Sequence, residues 1–132
     1  MNQDNFTILV VDDFPAMRRI VINLLRELGF SRFLEAENGE RALSILNGQS
    51  VHAVLTDWNM PVMDGLELLK HIRAHPIHKN LPVMLVTAEA KRDNIVVAAQ
   101  AGADSYIVKP FTGDTLQGKM AAMLAKRGLV PA

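Results

Sequence analysis

Short apolar runs recur along the chain, and a polar residue closes each of them. Four of these runs are Ile8–Val11, Ala53–Leu55, Val83–Val86 and Tyr106–Val108. Each has four residues or fewer and is rich in β-branched side chains, which predicts buried strands rather than helices. A weaker run, Phe33–Ala36, mixes apolar with acidic residues and is followed by Asn38-Gly39, which is typical of an edge strand.

Between these runs, apolar residues recur at spacings of three and four, which is the period of a helix. The clearest stretch extends from Met17 to Leu28, with Pro15 near the first helical position and Gly29 as the stop. Further helical patterns have apolar positions at Ala42, Leu43 and Leu46; at Leu66, Leu69 and Ile72; at Ile95, Val96 and Ala99; and at Leu116, Met120, Met123 and Leu124. Five strand–helix units with strands apolar on both faces predict a doubly wound parallel α/β sheet covered by helices.

Length and composition predict one ordinary globular domain. The chain has 132 residues, 49% hydrophobic and 21% charged, and we expect a single domain over residues 1–132 without an output domain. Its 14 basic and 14 acidic residues balance, which argues against nucleic acid as the main partner. It has no cysteine, which excludes disulfides and thiolate catalysis. The first apolar run is too short for a signal or membrane segment, so we expect a cytoplasmic protein.

Charged and hydroxyl residues follow four of the predicted strands. They are Asp12 and Asp13, Asp57 after Thr56, Thr87, and Lys109. Ligands bind outside the carboxyl ends of strands in such sheets, so these side chains should converge on one pocket. Three carboxylates in one place repel one another, so they must share a proton, bind a cation or be separated by solvent. Oxygen ligands alone suit a hard cation, Mg²⁺ above all.

A lysine and a hydroxyl beside such a cation make a clamp for phosphoryl oxygens. Asp57 fits a phosphoryl acceptor best, because it ends a central strand alone while Asp12 and Asp13 form a pair able to hold metal. Taken singly, each residue is more often a helix cap or a loop residue. Their conjunction at four strand ends favours the shared pocket.

Other chemistries fit less well. A haloacid-dehalogenase-type phosphatase needs a second acid two residues after its nucleophile, and Asn59 stands there. A flavin mononucleotide carrier needs a glycine- and hydroxyl-rich loop after the first strand, which is acidic here. His71, His75 and His78 have a spacing that suggests a metal site, but Pro76 follows and no carboxylate lies at ligand spacing, so a solvated face is favoured.

Several motifs resemble those of response-regulator receiver domains, in the same order along the whole chain. They are Val10-Val11-Asp12-Asp13, Asp57-Trp58-Asn59-Met60-Pro61 with Asp64-Gly65, Val86-Thr87-Ala88 and Lys109-Pro110-Phe111. Further stretches resemble the single-domain chemotaxis regulators of this family: Met17-Arg18-Arg19-Ile20-Val21, Thr87-Ala88-Glu89-Ala90-Lys91 and Ala98-Ala99-Gln100-Ala101-Gly102-Ala103.

This resemblance implies a flavodoxin-like sheet of strand order 2-1-3-4-5 and a role for each site residue. Asp57 is then the phosphoacceptor, Thr87 and Lys109 bind the phosphoryl oxygens, and Tyr106 is the switch aromatic. Asp12, Asp13 and Asp57 hold Mg²⁺ together with the backbone carbonyl of Asn59. Asn59 and Glu89 tune the lifetime of the phosphoryl group.

The resemblance also implies the partners. A histidine kinase of the chemotaxis type donates the phosphoryl group, and the monomeric regulator binds the flagellar motor switch protein. The implied partner surface is Ala90, Ile95, Tyr106, Val108 and Lys119. Such a regulator is not a conventional enzyme, although it assists its own phosphorylation and dephosphorylation, and a separate phosphatase is a further candidate partner. The alternative is a phosphorelay shuttle or a regulator of another partner, since Ser105, Gly113, Asp114, Gly118 and Ala121-Ala122 depart from the motor-binding pattern.

Overall fold

Five parallel strands form one sheet with helices on both faces. The computed structural model describes residues 5–88 and 91–129. The strands are β1 (Thr7–Val11), β2 (Arg32–Ala36), β3 (Ala53–Asp57), β4 (Val83–Thr87) and β5 (Ser105–Val108). The helices are α1 (Pro15–Glu27), α2 (Gly39–Gly48), α3 (Gly65–Ala74), α4 (Arg92–Ala101) and α5 (Gly113–Lys126). The order β2-β1-β3-β4-β5 and the parallel pairing confirm the predicted fold.

The sheet divides the core into two apolar layers. Ile8 and Val10 of β1 point to the layer covered by α1 and α5, while Leu9 and Val11 point to the layer covered by α2, α3 and α4. Every residue of β3 and β4 is buried, which is why these strands appear in the sequence as continuous apolar runs. The edge strand β2 keeps Glu35 exposed, as its mixed composition predicted.

Several elements extend beyond the hydrophobic pattern, and two of these extensions have clear local causes. Strand β3 continues through Thr56 and Asp57, because these polar residues still pair with β4. Helix α2 already begins at Gly39, because the side chain of Asn38 accepts a hydrogen bond from the Arg41 N–H and caps it. Polar residues can thus extend an element whose apolar core ends earlier.

A buried carboxylate ties several elements together at the amino ends of β4 and β5. The side chain of Asp104 is 1% exposed and lies 2.8 Å from Arg73 Nη2 and 2.7 Å from Arg127 Nε. It also accepts a 2.9 Å hydrogen bond from the Val83 N–H. Arg73 in turn donates to the carbonyl of Gly102, where α4 ends. This network lies at the end of the sheet opposite the predicted site.

Candidate functional site

The fold brings the predicted site residues to one end of the sheet. Asp12 directly follows β1, Asp57 and Thr87 are the last residues of β3 and β4, and Lys109 directly follows β5. The Lys109 N–H donates a 2.7 Å hydrogen bond to the Thr87 carbonyl, which joins the ends of β4 and β5. Asp12, Asp57 and Thr87 are 3%, 7% and 3% exposed, so all three polar residues are buried.

Three carboxylates form the centre of this site. Asp12, Asp13 and Asp57 each place an oxygen within 4.8 Å of the others. Asp12 Oδ1 accepts a 2.9 Å hydrogen bond from the Phe14 N–H, whereas Asp13 Oδ1 is buried and has no hydrogen-bond partner within the described ranges. Oxygen donors around an unsatisfied buried carboxylate atom suit a hard divalent cation. The cluster can therefore bind a metal.

Lys109 supplies the positive charge beside these acids. Its Nζ lies 3.2 Å from Asp57 Oδ1 and 3.4 Å from Asp12 Oδ2. Burial nevertheless raises the pKa of the Asp57 carboxyl, Lys109 opposes that rise, and the charges of Asp12 and Asp13 add to it. Lys109 alone therefore does not offset the burial of Asp57, and a further positive charge beside this carboxylate would favour its ionised form.

Gly65 is a site residue that the strand-end pattern did not identify. A Cβ at this position would overlap the backbone carbonyl oxygen of Asp57. The Gly65 N–H donates a 2.9 Å hydrogen bond to the Trp58 carbonyl, and Asp64 caps the helix through a capping box with Glu67. The start of α3 therefore presses directly on the strand end that carries Asp57. In the sequence, Asp64-Gly65 stands out only as part of the motif that resembles receiver domains.

The predicted partner residues that the structure describes belong to α4, β5 and α5. Ile95 on α4, Tyr106 and Val108 on β5, and Lys119 on α5 are all half-buried, and Lys119 Nζ lies 4.9 Å from the centre of the Tyr106 ring. A groove of about 280 Å³ includes Tyr106, Val108 and Lys119 in its lining. The predicted residues Glu89 and Ala90 lie outside the described residues. Asn59 is exposed in the loop that follows β3.

The histidines that suggested a metal site in the sequence are His71, His75 and His78, and none of them belongs to the carboxylate cluster that the described residues form. His75 is the C-cap of α3, and its Nδ1 accepts a hydrogen bond from the Ile77 N–H. The His75 and His78 rings lie 4.3 Å apart. Neither belongs to a group of three potential metal ligands within residues 5–88 and 91–129, where Asp12, Asp13 and Asp57 form such a group. No helix in those ranges is long and apolar enough to cross a membrane.

Comparison with known families identifies this arrangement. The family described as "Response regulator receiver domain" matches residues 8–121. The chain belongs to this receiver family. Chemotaxis protein CheY-3 of Vibrio cholerae is 57% identical over 116 residues, which cover 88% of this chain and 89% of that protein. Chemotaxis protein CheY of Pseudomonas aeruginosa is 54% identical over 113 residues, covering 86% and 91%.

Solved receiver structures share the fold. Chemotaxis response regulator CheY4 of Vibrio cholerae has a TM-score of 0.83 and 29% identity, covering 90% of this chain and 98% of that one. A putative response regulator from Chloroflexus aurantiacus has a TM-score of 0.85 and 32% identity, covering 91% and 98%. These relatives confirm a CheY-like receiver of two-component chemotaxis signalling, a regulator rather than a conventional enzyme.

Proposed function

We propose that this receiver is a phosphorylation-controlled binding module of chemotaxis in the cytoplasm. Asp57 accepts a phosphoryl group from the phosphohistidine of a chemotaxis-type kinase, and the phosphorylated domain binds the flagellar motor switch protein. The observation that carries the proposal is the Lys109–Asp57 ion pair of 3.2 Å beside three carboxylates within 4.8 Å of one another. The similarity to CheY proteins over most of the chain supports the chemotactic setting.

The transfer requires a nucleophile and neutralisation of the charge that moves. A carboxylate oxygen of Asp57 forms the new O–P bond while the P–N bond of the phosphohistidine breaks, and the imidazole nitrogen keeps the bonding electron pair. The ammonium of Lys109 and the hydroxyl of Thr87 donate hydrogen bonds to the phosphoryl oxygens. Asp12, Asp13, Asp57 and the Asn59 carbonyl would hold Mg²⁺, which when bound offsets the negative charge of these oxygens.

The output requires the new charge to bias a second surface. Lys109 directly follows β5, the strand that carries Tyr106 and Val108. The Lys109 N–H and the Thr87 carbonyl share a 2.7 Å hydrogen bond, so movement of either strand end is transmitted to the other. We place the phosphorylation-dependent partner contact on Ile95, Tyr106, Val108 and Lys119. Ala90, which precedes Ile95 in the sequence, completes the proposed surface. Asn59 and Glu89 then control how long the phosphoryl group persists, with or without a separate phosphatase.

The proposal is tested by measuring partner binding with and without phosphorylation. The domain is incubated with Mg²⁺ and a small phosphodonor, and its affinity for a switch-protein peptide is measured beside that of Asp57→Asn. We expect tighter binding only for the wild type with donor present. A domain that instead passes its phosphoryl group to a histidine phosphotransfer protein, and ignores the peptide, is a relay shuttle and contradicts the motor assignment.

A further inference from the structure

Arg18 joins α1 to the ends of two neighbouring strands beside the acidic cluster. Its Nη1 donates a 2.7 Å hydrogen bond to the backbone carbonyl of Asp12. Its Nε lies 2.9 Å from Glu35 Oε1 at the end of β2. The side chain of Arg18 is 16% exposed, so the protein encloses most of it. A planar guanidinium with two donors used at once holds a fixed orientation.

The contact with Asp12 fixes the backbone that carries the metal-binding acids. The Asp12 N–H donates a 3.0 Å hydrogen bond to the Ala36 carbonyl, so both polar groups of its main chain have partners. The Asp12 carbonyl belongs to the same planar peptide group as the Asp13 nitrogen. Arg18 therefore sets the direction in which the chain enters Asp13, whose buried Oδ1 has no hydrogen-bond partner within the described ranges.

We propose that Arg18 is a positioning residue for the divalent cation, and that Glu35 in turn holds Arg18. This inference rests on the proposed function, because it assigns the cation to the cluster of Asp12, Asp13 and Asp57. Outer-shell partners of metal ligands orient those ligands, and their loss typically weakens metal binding about 10–100-fold. Arg18 acts on the backbone of the ligand loop and makes no contact with the cation.

Positioning and simple electrostatics predict opposite effects of removing Arg18. The guanidinium repels a cation nearby, so loss of its charge alone would tighten Mg²⁺ binding. Loss of its two hydrogen bonds would free the Asp12–Asp13 peptide and weaken Mg²⁺ binding. Lysine retains the charge but cannot form both contacts in the same planar geometry. Arg18→Gln and Arg18→Lys therefore separate the two effects.

The test measures Mg²⁺ affinity by calorimetry and by the fluorescence of Trp58. This residue is the only tryptophan of the chain, and it directly follows Asp57. Arg19→Gln is the matched control, because Arg19 is the exposed neighbour of Arg18 on α1 and its loss removes the same charge. We expect about tenfold weaker Mg²⁺ binding for Arg18→Gln and for Arg18→Lys. Arg19→Gln should bind as the wild type does, or slightly more tightly.

Glu35→Gln provides a second variant that leaves Arg18 in place. We expect it to weaken Mg²⁺ binding by less than Arg18→Gln does, and urea unfolding without Mg²⁺ verifies that each variant is folded. If Arg18→Gln fails to fold, the Mg²⁺ affinities of Arg18→Lys and Glu35→Gln test the positioning role of Arg18. The inference is overturned if the Arg18 and Glu35 variants bind Mg²⁺ with the same affinity as Arg19→Gln. It is also overturned if the wild type binds no Mg²⁺. A wild type that binds Mg²⁺ but takes no phosphoryl group refutes the proposed function alone.

Discussion

Replacing Asp104 with alanine should destabilise the domain while sparing the proposed phosphorylation site. The carboxylate is 1% exposed and pairs with Arg73 at 2.8 Å and with Arg127 at 2.7 Å. It also accepts the Val83 N–H at 2.9 Å. Asp104→Ala removes all three interactions at the amino ends of β4 and β5. Asp57, the proposed phosphoacceptor, lies at the opposite, carboxyl ends of the strands.

The magnitude follows from what each partner loses. The Val83 N–H is left in a fully buried residue, and an unsatisfied buried donor costs about 1–3 kcal/mol. Arg73 keeps its hydrogen bonds to the carbonyls of Gly102 and Leu81, but burial lowers its pKa and Asp104 is the charge that opposes this. Breaking a buried ion pair on one side costs about 3–5 kcal/mol. Because the side chains of Arg73 and Arg127 are 16% and 26% exposed and can reach water, we take the lower end of both ranges and expect about 4 kcal/mol in total.

The assay is urea unfolding of the wild type, Asp104→Ala and Arg127→Ala, followed by circular dichroism. Arg127→Ala is the matched control, because it breaks one contact and leaves Asp104 paired with Arg73 and Val83. It should lower the free energy of unfolding by only about 1 kcal/mol. If Asp104→Ala loses no more than Arg127→Ala, the network does not hold the strand ends and the estimate is wrong. Phosphorylation of the folded variant should equal that of the wild type.

Three further predictions concern the site and α5. Because burial raises the pKa of Asp57, the folded domain binds that proton more tightly than the unfolded chain, so stability falls as pH rises through and above the ordinary carboxyl pKa. Asp57→Asn should thus have a higher free energy of unfolding than the wild type at neutral pH without metal, and this difference should shrink as the pH falls toward about 3. Urea unfolding at several pH values measures it, and a difference that does not change with pH contradicts the prediction. Lys109→Ala should accept a phosphoryl group yet show equal partner affinity before and after phosphorylation, and a retained affinity change refutes its role. Gly118→Ala should raise the free energy of unfolding by about 0.5–1 kcal/mol, because its Cβ would meet nothing within 4 Å in α5, whereas Gly128→Ala at φ +72° should lower it.

The fold class could be predicted from the sequence because the central strands are buried on both faces. β3 and β4 are buried throughout, so their apolar runs stand out between amphipathic helices. The strand-end rule then placed Asp57 and Lys109 together, since parallel strands bring their carboxyl ends to one edge. The order of the strands came from the family resemblance. Apolar runs of similar composition contain no information on which strands pair with each other.

Contacts between distant residues could not be predicted in this way. In the sequence Arg18 is one of two adjacent arginines, and only the approach of β2 to β1 brings Glu35 and the Asp12 carbonyl to its guanidinium. Asp104 lies in the short connection between α4 and β5, and no sequence motif singles it out. Its partners Arg73 and Arg127 are separated from it by 31 and 23 positions. A hydrophobic pattern contains no information on which polar side chains will meet across such separations.

The intact mass of the domain after incubation with Mg²⁺ and a small phosphodonor tests the central claim most directly. The wild type should gain one phosphoryl group, because Asp57 lies 3.2 Å from Lys109 within an acidic cluster that suits a divalent cation. Asp57→Asn should gain none under the same conditions, and chelation of Mg²⁺ should abolish the gain of the wild type. The same mass increase in Asp57→Asn, or an unmodified wild type, would contradict the assignment of Asp57 as the phosphoacceptor.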